Sequence, residues 1–244
     1  MVQTLLRLVF VCALLPIVIR SQTVDEIIGK YIQAHGGLEK MKSVETLRLT
    51  GKFSEGTFRA AFVQENKRPN KVREAQIIQG MTAIQAYDGE MGWQVSPFGG
   101  RKDPTLLSAD DMKSLVEDAD IDGPLVDYKN KDHRAELIGH DSVEGTDCYK
   151  IKLTLADSDV RYYYIDTDSY LELKVETERN IRGTVQYGET LYGDYEEVNG
   201  LYFPFAFETG TKGEPNRVRF TVEKVEINVP LSRARFAIPA GAAK

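Results

Sequence analysis

The chain has 244 residues, with 31 Lys and Arg against 37 Asp and Glu and a hydrophobic fraction of 42%. A net charge of −6 excludes an electrostatic grip on nucleic acid or on an anionic membrane surface. Two Cys in such a chain exclude a disulfide framework, so any fold must rest on its core.

Residues 1–21 read as a secretory signal. Arg7 supplies a positive start, and residues 8–19 form an apolar run too short to span a bilayer. Ser21 is a small residue suited to the position before cleavage, although Arg20 beside it makes the site untidy. The rival reading, an uncleaved membrane anchor, needs a longer apolar run. Cys12 follows the bulky Val11 inside that run, which does not suit lipid attachment. Losing residues 1–21 removes Arg7 and Arg20 and no acid, leaving 29 bases against 37 acids and a net charge of −8. Cys148 is then the remaining cysteine. It sits in an alternating strand pattern and reads as structural, not nucleophilic. Residues 22–244 contain no Ser/Gly linker, repeat or low-complexity tract, and are expected to form one domain.

Residues 24–34 predict an amphipathic helix. Thr23 and Glu26 make a capping box, Val24, Ile27, Ile28, Tyr31 and Ile32 an apolar stripe, and Gly36-Gly37 a stop. His35 falls at the helix end, and a short helical turn is expected over 38–44. Alternation then takes over. Leu47, Leu49 and Phe53 interleave with Arg48, Thr50 and Lys52, and Phe58, Ala60 and Phe62 follow. Residues 72–78 and 81–87 form two more strands around a Gln79-Gly80 turn.

A helix interrupts at Ser108, with Asp111 completing a second capping box. Met112, Leu115 and Val116 form its stripe, and Gly123-Pro124 is expected to end it. Strands resume at Tyr149, Ile151, Leu153 and Leu155, then over 161–165, 171–175 and 184–192. Asn199-Gly200 signals a hairpin between Tyr195-Glu196 and 201–207. Val218, Phe220 and Val222 alternate last. The total is about eleven strands in meandering order. The expected fold is mainly β with a few helices (α+β). It is a large curved antiparallel sheet with helices on its concave side, and a sheet of that size tends to curl or close; the resemblance described below implies that it forms an unclosed barrel.

Chemistry-bearing motifs are few. Asp118, Asp120, Asp122 and Gly123 match the first half of an EF-hand loop. Lys129 stands where the bidentate Glu belongs, so no metal is expected. His35, His133 and His140 have no ligand spacing between them. No HExxH, GxSxG, P-loop or GxGxxG occurs, so neither an enzyme nor a cofactor is expected. The Asp166 and Asp168 pair occupies a turn, where acids are common. Tyr162, Tyr163 and Tyr164, with Tyr187, Tyr192, Tyr195 and Tyr202, suit either strand packing or the rim of an apolar cavity.

Four segments carry a family resemblance. Lys67-Arg68-Pro69-Asn70 and Asp88-Gly89-x-x-Gly92-Trp93-x-x-x-Pro97-Phe98 resemble the LolA-like lipoprotein carriers of the bacterial periplasm. Arg235-Phe236-Ala237-Ile238-Pro239 is similar to the closing segment of that family. Gly193-Asp194-Tyr195-Glu196-x-x-Asn199-Gly200-Leu201-x-x-Pro204 resembles outer-membrane lipoprotein-sorting proteins. The resemblance implies a periplasmic, non-catalytic carrier that buries the acyl chains of a lipoprotein or another lipid in an apolar half-barrel beneath a helical lid. It implies an inner-membrane donor, an outer-membrane acceptor and a monomer. It also implies that Arg68 bonds to the lid and holds it closed, and that Leu38 serves the lid. Leu47, Leu49, Phe58, Phe62 and Trp93 are the cavity candidates, with Trp93 and Asp88-Gly89 doubling as fold markers. The chain departs from the carriers in its extra length around 104–147 and in its C-terminal half. It departs again at Gly92, where carriers have a bulkier residue. A lipid-sensing regulatory module acting on a membrane partner is the alternative.

Overall fold

The computed structural model describes residues 22–98 and 103–239. The expected signal segment, residues 1–21 with Cys12, lies outside the described residues.

Local chemistry fixes the first helix. In α1 (Val24–Ala34) Thr23 Oγ1 accepts from the Glu26 N–H at 3.2 Å, and Glu26 Oε2 accepts from the Thr23 N–H at 2.8 Å. The capping box is therefore complete at both ends. Ile27, Ile28 and Tyr31 are buried on one face. Burial of each isoleucine contributes roughly 1.5–3 kcal/mol. Gly36 follows at φ +110°, and a Cβ there would stand 2.2 Å from Gly200 O. The end of α1 therefore lies directly against the Asn199-Gly200 turn, with a backbone bond from Tyr202 N to His35 O. A short α2 (Leu38–Lys42) comes next.

The strands β1 (Thr46–Glu55), β2 (Phe58–Lys67), β3 (Lys71–Ile78) and β4 (Met81–Tyr87) form a meander, which β5 (Gly92–Val95) and β6 (Thr105–Leu106) extend. A second meander runs through β7 (Arg134–Val143), β8 (Thr146–Thr154), β9 (Val160–Asp166) and β10 (Glu172–Ile181). It finishes with β11 (Thr184–Val198), β12 (Leu201–Thr211) and β13 (Arg217–Ile227). The thirteen described strands make one sheet, ordered β6-β5-β4-β3-β2-β1-β13-β12-β11-β10-β9-β8-β7. Every neighbour is consecutive in the chain except β1 and β13, whose antiparallel pairing joins the two meanders. The free edges are then β6 and β7, and the sheet is curled without closing. The chain from 107 to 133 passes from one edge to the other.

That passage carries α3 (Ala109–Asp118). Ser108 Oγ accepts from Asp111 N at 3.2 Å and donates to Asp111 Oδ2 at 2.6 Å. The second capping box is thus half made. Asp is one methylene shorter than Glu, and its carboxylate takes the hydroxyl proton instead of reaching the Ser108 N–H. Leu115 and Ala119 pack on Val72 of β3. Gly92 lies under the same helix, where a Cβ would meet Met112 Cγ at 2.5 Å. The small residue at 92 is what lets α3 sit this close to the sheet.

Three sequence-based expectations need correction. The helix ends at Asp118 instead of Gly123-Pro124, and the residues between form turns, with Gly123 N bonded to Asp120 O. The expected break between 192 and 195 lies inside the long β11. Asp194 adopts φ +51° there, and the pairing with β12 keeps the same register on either side of it. The count rises from about eleven to thirteen partly because β7 has no clean alternation. Its register slips between Leu137 and Gly139, which breaks the period of two.

Two apolar cores flank the concave side. One packs α1 and Leu125 on Ile151, Leu153, Tyr163, Ile165 and Val175 of β8 to β10. The other joins β1, β2, β12 and β13 through Leu47, Phe53, Phe62, Leu201, Val222 and Val225.

Candidate functional site: a two-lobed lumen beneath α3

Strand register decides which side chains enter the concave space. Leu49, Gln64, Glu74, Gln85 and Gln94 lie opposite one another across β1 to β5. Leu49, Gln64 and Glu74 of this row line the lumen. The adjacent row, Arg48, Glu65, Arg73, Ala86 and Trp93, lies on the opposite face, because side chains alternate along a strand.

The lumen has two connected lobes. The first, of about 410 Å³, is walled by Leu49, Phe62, Phe203, Phe207 and Phe220, with Tyr192 at its border. The Phe207 and Phe220 rings stack with centroids 4.6 Å apart, and Phe62 meets Phe220 edge-on at 5.4 Å. The second lobe, of about 440 Å³, is polar and contains Glu117, Arg161, Tyr163, Arg179 and Glu189. Gln64, Asp118, Thr190 and Tyr192 line both lobes and make them continuous.

An ion-pair strut ties α3 across this space. Glu117 accepts from Arg161 Nε at 2.7 Å and from Arg179 Nη2 at 2.7 Å, and it also takes a contact from Arg161 Nη2. The Arg161 side chain is only 1% exposed. Burial raises the Glu117 carboxyl, but the two guanidinium groups outweigh it and hold the carboxyl below its ordinary value. Asn66 Nδ2 of β2 donates to the Asp118 carbonyl at 2.5 Å. The last turn of α3 is therefore bonded to both arms of the half-barrel.

A second set of bonds gathers the α2 turn. Arg68 Nε donates to Val44 O at 2.6 Å and Arg68 Nη2 to Met41 O at 3.0 Å. The same guanidinium holds Asp122 in a bidentate pair, with Nη1–Oδ2 at 2.9 Å and Nη2–Oδ1 at 2.6 Å. Asp122, 3% exposed, also receives Lys42 at 2.7 Å. Burial works against the Asp122 charge, yet Arg68 and Lys42 hold its pKa down. One arginine thus joins the loop after β2, the α2 turn and the loop after α3, a task for its rigid fork of donors.

The mouth beside α1 and α2 is a third space of about 210 Å³, lined by Tyr31, His35, Met41, Ile121, Glu172 and Leu201 among others. His35 Nδ1 lies 2.9 Å from Tyr31 O, and Nε2 lies 2.9 Å from Glu172 Oε2. Burial disfavours the imidazolium, but the Glu172 carboxylate prevails and raises the His35 pKa. A raised folded pKa means a stabilisation that is fully present below the unfolded value of ~6.5 and is lost as pH rises through the folded value. Urea unfolding across pH 6 to 8 is expected to show wild type losing stability relative to His35→Gln as pH rises. Parallel curves would reject the clasp.

The sequence-expected residues distribute as follows. Leu49 and Phe62 line the apolar lobe, and Leu47 the polar one. Phe58 is 40% exposed at the strand end, with its ring 5.9 Å from Phe53, and it is not among the lining residues. Leu38 is 40% exposed on α2, away from the lumen lining. Trp93 does not enter the cavity. Its indole N–H donates to Phe236 O at 2.8 Å, which pins the C-terminal segment on the outer face. Beside it, Arg48 at 3.0 Å and Arg235 at 2.7 Å pair with the buried Glu65. The EF-hand-like carboxylates diverge, with Asp118 in the lumen, Asp120 on Lys131 and Asp122 on Arg68.

Sequence reasoning missed Glu74, Glu117, Arg161, Phe207 and Phe220. A charged residue on the inward row of an otherwise half-apolar strand was the available signal for Glu74.

A protein-family model described as "uncharacterized protein" matches residues 107–239, more than half of the chain. The chain belongs to that family. Comparison with curated proteins gives no match. Solved structures share the fold at low identity. A DUF1329 family protein from Desulfovibrio piger matches with a TM-score of 0.62 at 12% identity, covering 89% of this chain and 98% of that one. A LolA superfamily protein from Nitrosomonas europaea gives 0.60 at 12% identity, covering 89% and 98%. A putative outer membrane lipoprotein-sorting protein domain from Vibrio parahaemolyticus gives 0.59 at 11%, covering 86% and 94%. The chain therefore has a LolA-like fold.

Proposed function

We propose that this protein is a non-catalytic periplasmic carrier that holds a lipid, or the acyl part of a lipoprotein, in the lumen beneath α3. The observation that carries the reading is the apolar lobe walled by Leu49, Phe62, Phe203, Phe207 and Phe220. An aromatic wall inside a curled sheet leaves apolar surface without a protein partner, and an acyl chain covers it at about 0.8 kcal/mol per methylene. The LolA-like fold supports the reading. On this reading Arg68 is the latch, since it bonds the α2 turn to the loop after α3. Two of the histidines and Cys148 are engaged structurally. His133 Nδ1 accepts from Ala156 N, His140 packs on Tyr149, and Cys148 is buried against Tyr164.

A fluorescent acyl probe tests the reading. Wild-type protein is expected to bind it saturably, and Phe207→Asp to lose at least about tenfold in affinity while keeping its β circular dichroism. Absence of saturable binding to wild type would overturn the proposal.

A further inference from the structure

The charges of the lumen do not cancel where the two lobes meet. Glu117 is neutralised by Arg161, and Arg179 is shared between Glu117 and Asp159, from which its Nε lies 3.8 Å. Asp159 and Asp157 also take Lys113. Glu189 pairs with Arg217, Glu172 with His35 and Asp120 with Lys131. Among the described residues, two lumen carboxyls have no ion-pair partner, Glu74 on β3 and Asp118 at the end of α3.

Glu74 is half-buried and Asp118 is exposed to the lumen that both line. Burial lifts the Glu74 carboxyl to about 7. Burial, then the charges of Glu74 and Glu117, push Asp118 well up, against the smaller opposing pull of Arg179 and Arg161. A second feature favours positive charge at the same place. Asp118 occupies the last turn of α3, which carries no basic residue. The negative end of the helix dipole therefore adds to the two carboxyls. The apolar lobe begins at the same point, because Asp118 and Glu74 line it together with Phe62 and Phe207.

We infer that the lumen selects an amphiphile with an ammonium head, its chain against the Phe62, Phe207 and Phe220 wall and its head between Glu74 and Asp118. This rests on the reading that the cavity takes a lipid, and names the class of lipid. The lobe volumes of about 410 and 440 Å³ fall within the range of a site for one small ligand. An ammonium group supplies the donors that the two carboxyls lack among the described residues. It would also stabilise their ionised forms, so ammonium binding should release protons near neutral pH.

Calorimetric titration of the full chain, freed of bound lipid, tests this with dodecylammonium, dodecanol and dodecyl sulfate at pH 8. Dodecylammonium is expected to bind at least about tenfold more tightly than dodecanol, with dodecyl sulfate weakest. The preference for dodecylammonium over dodecanol should shrink in Glu74→Gln with Asp118→Asn. Lysophosphatidylethanolamine separates two sources of the same head. Binding alongside dodecylammonium assigns the site to a lipid head group, and its exclusion assigns the site to a free amine. Equal affinity for the three dodecyl compounds, or a preference for the sulfate, would overturn the inference and leave the lipid cavity standing. Failure of all three to bind would instead remove the cavity reading on which it rests.

Discussion

Replacing Glu117 with Ala is expected to lower the unfolding free energy by about 3–5 kcal/mol, the range for breaking a buried ion pair. The size follows from Arg161. Its side chain is 1% exposed, and Glu117 is the carboxylate that takes both its Nε and its Nη2. Without Glu117 the guanidinium keeps the Val160 carbonyl at 3.1 Å and no carboxylate hydrogen bond among the described residues. Arg179 loses its 2.7 Å partner at the same time. A companion variant separates charge from packing. Glu117→Leu combined with Arg161→Met removes both members, and is expected to recover most of the loss, because the penalty comes from an unpaired buried charge. Urea denaturation of the singles and the double completes the cycle. A loss below about 1 kcal/mol for Glu117→Ala would mean that α3 is held by its apolar face alone.

Arg68→Leu is expected to destabilise by about 2–3 kcal/mol, less than Glu117→Ala because Lys42 still reaches Asp122. Its larger effect is on motion. The α2 turn loses its bonds from Arg68 to the Met41 and Val44 carbonyls, and the loop after α3 loses the bidentate hold on Asp122. Amide hydrogen exchange should quicken over 38–44 and 119–124, leaving β8 to β10 protected. Probe release should quicken in parallel. Unchanged exchange in both segments, with unchanged release, would remove Arg68 from any gating role.

Much of the frame was legible in the sequence where local rules decide. Thr23 and Glu26 announced α1, and the Gln79-Gly80 and Asn199-Gly200 turns announced their hairpins. Arg68 was reached through its tetrapeptide. The misses share a different cause, since each depends on contacts distant in sequence. α3 stops at Asp118 because its end is bonded to Asn66, Arg161 and Arg179 on other strands, none of which is near it in the chain. β7 is a strand because it pairs with β8, despite a register slip that hides its period. Trp93 was misplaced for a subtler reason. An aromatic residue in a strand beside a cavity family reads as cavity wall, yet pairing through two turns puts it in the row of Glu65 and Arg73. Counting that row from Leu49 would have put Glu74 inside and Trp93 outside. The apolar wall itself was half legible, through Leu49 and Phe62. Phe207 and Phe220 join it only because β13 pairs back onto β1.

The central claim is that the lumen beneath α3 carries a lipid. Mass spectrometry of the organic extract of protein purified from its native source without detergent tests this most directly. The account predicts an acyl or alkyl amphiphile in stoichiometric amount, depleted in a Phe207→Asp variant prepared in the same way. A protein whose extract contains no such molecule, with the aromatic wall intact, would contradict it.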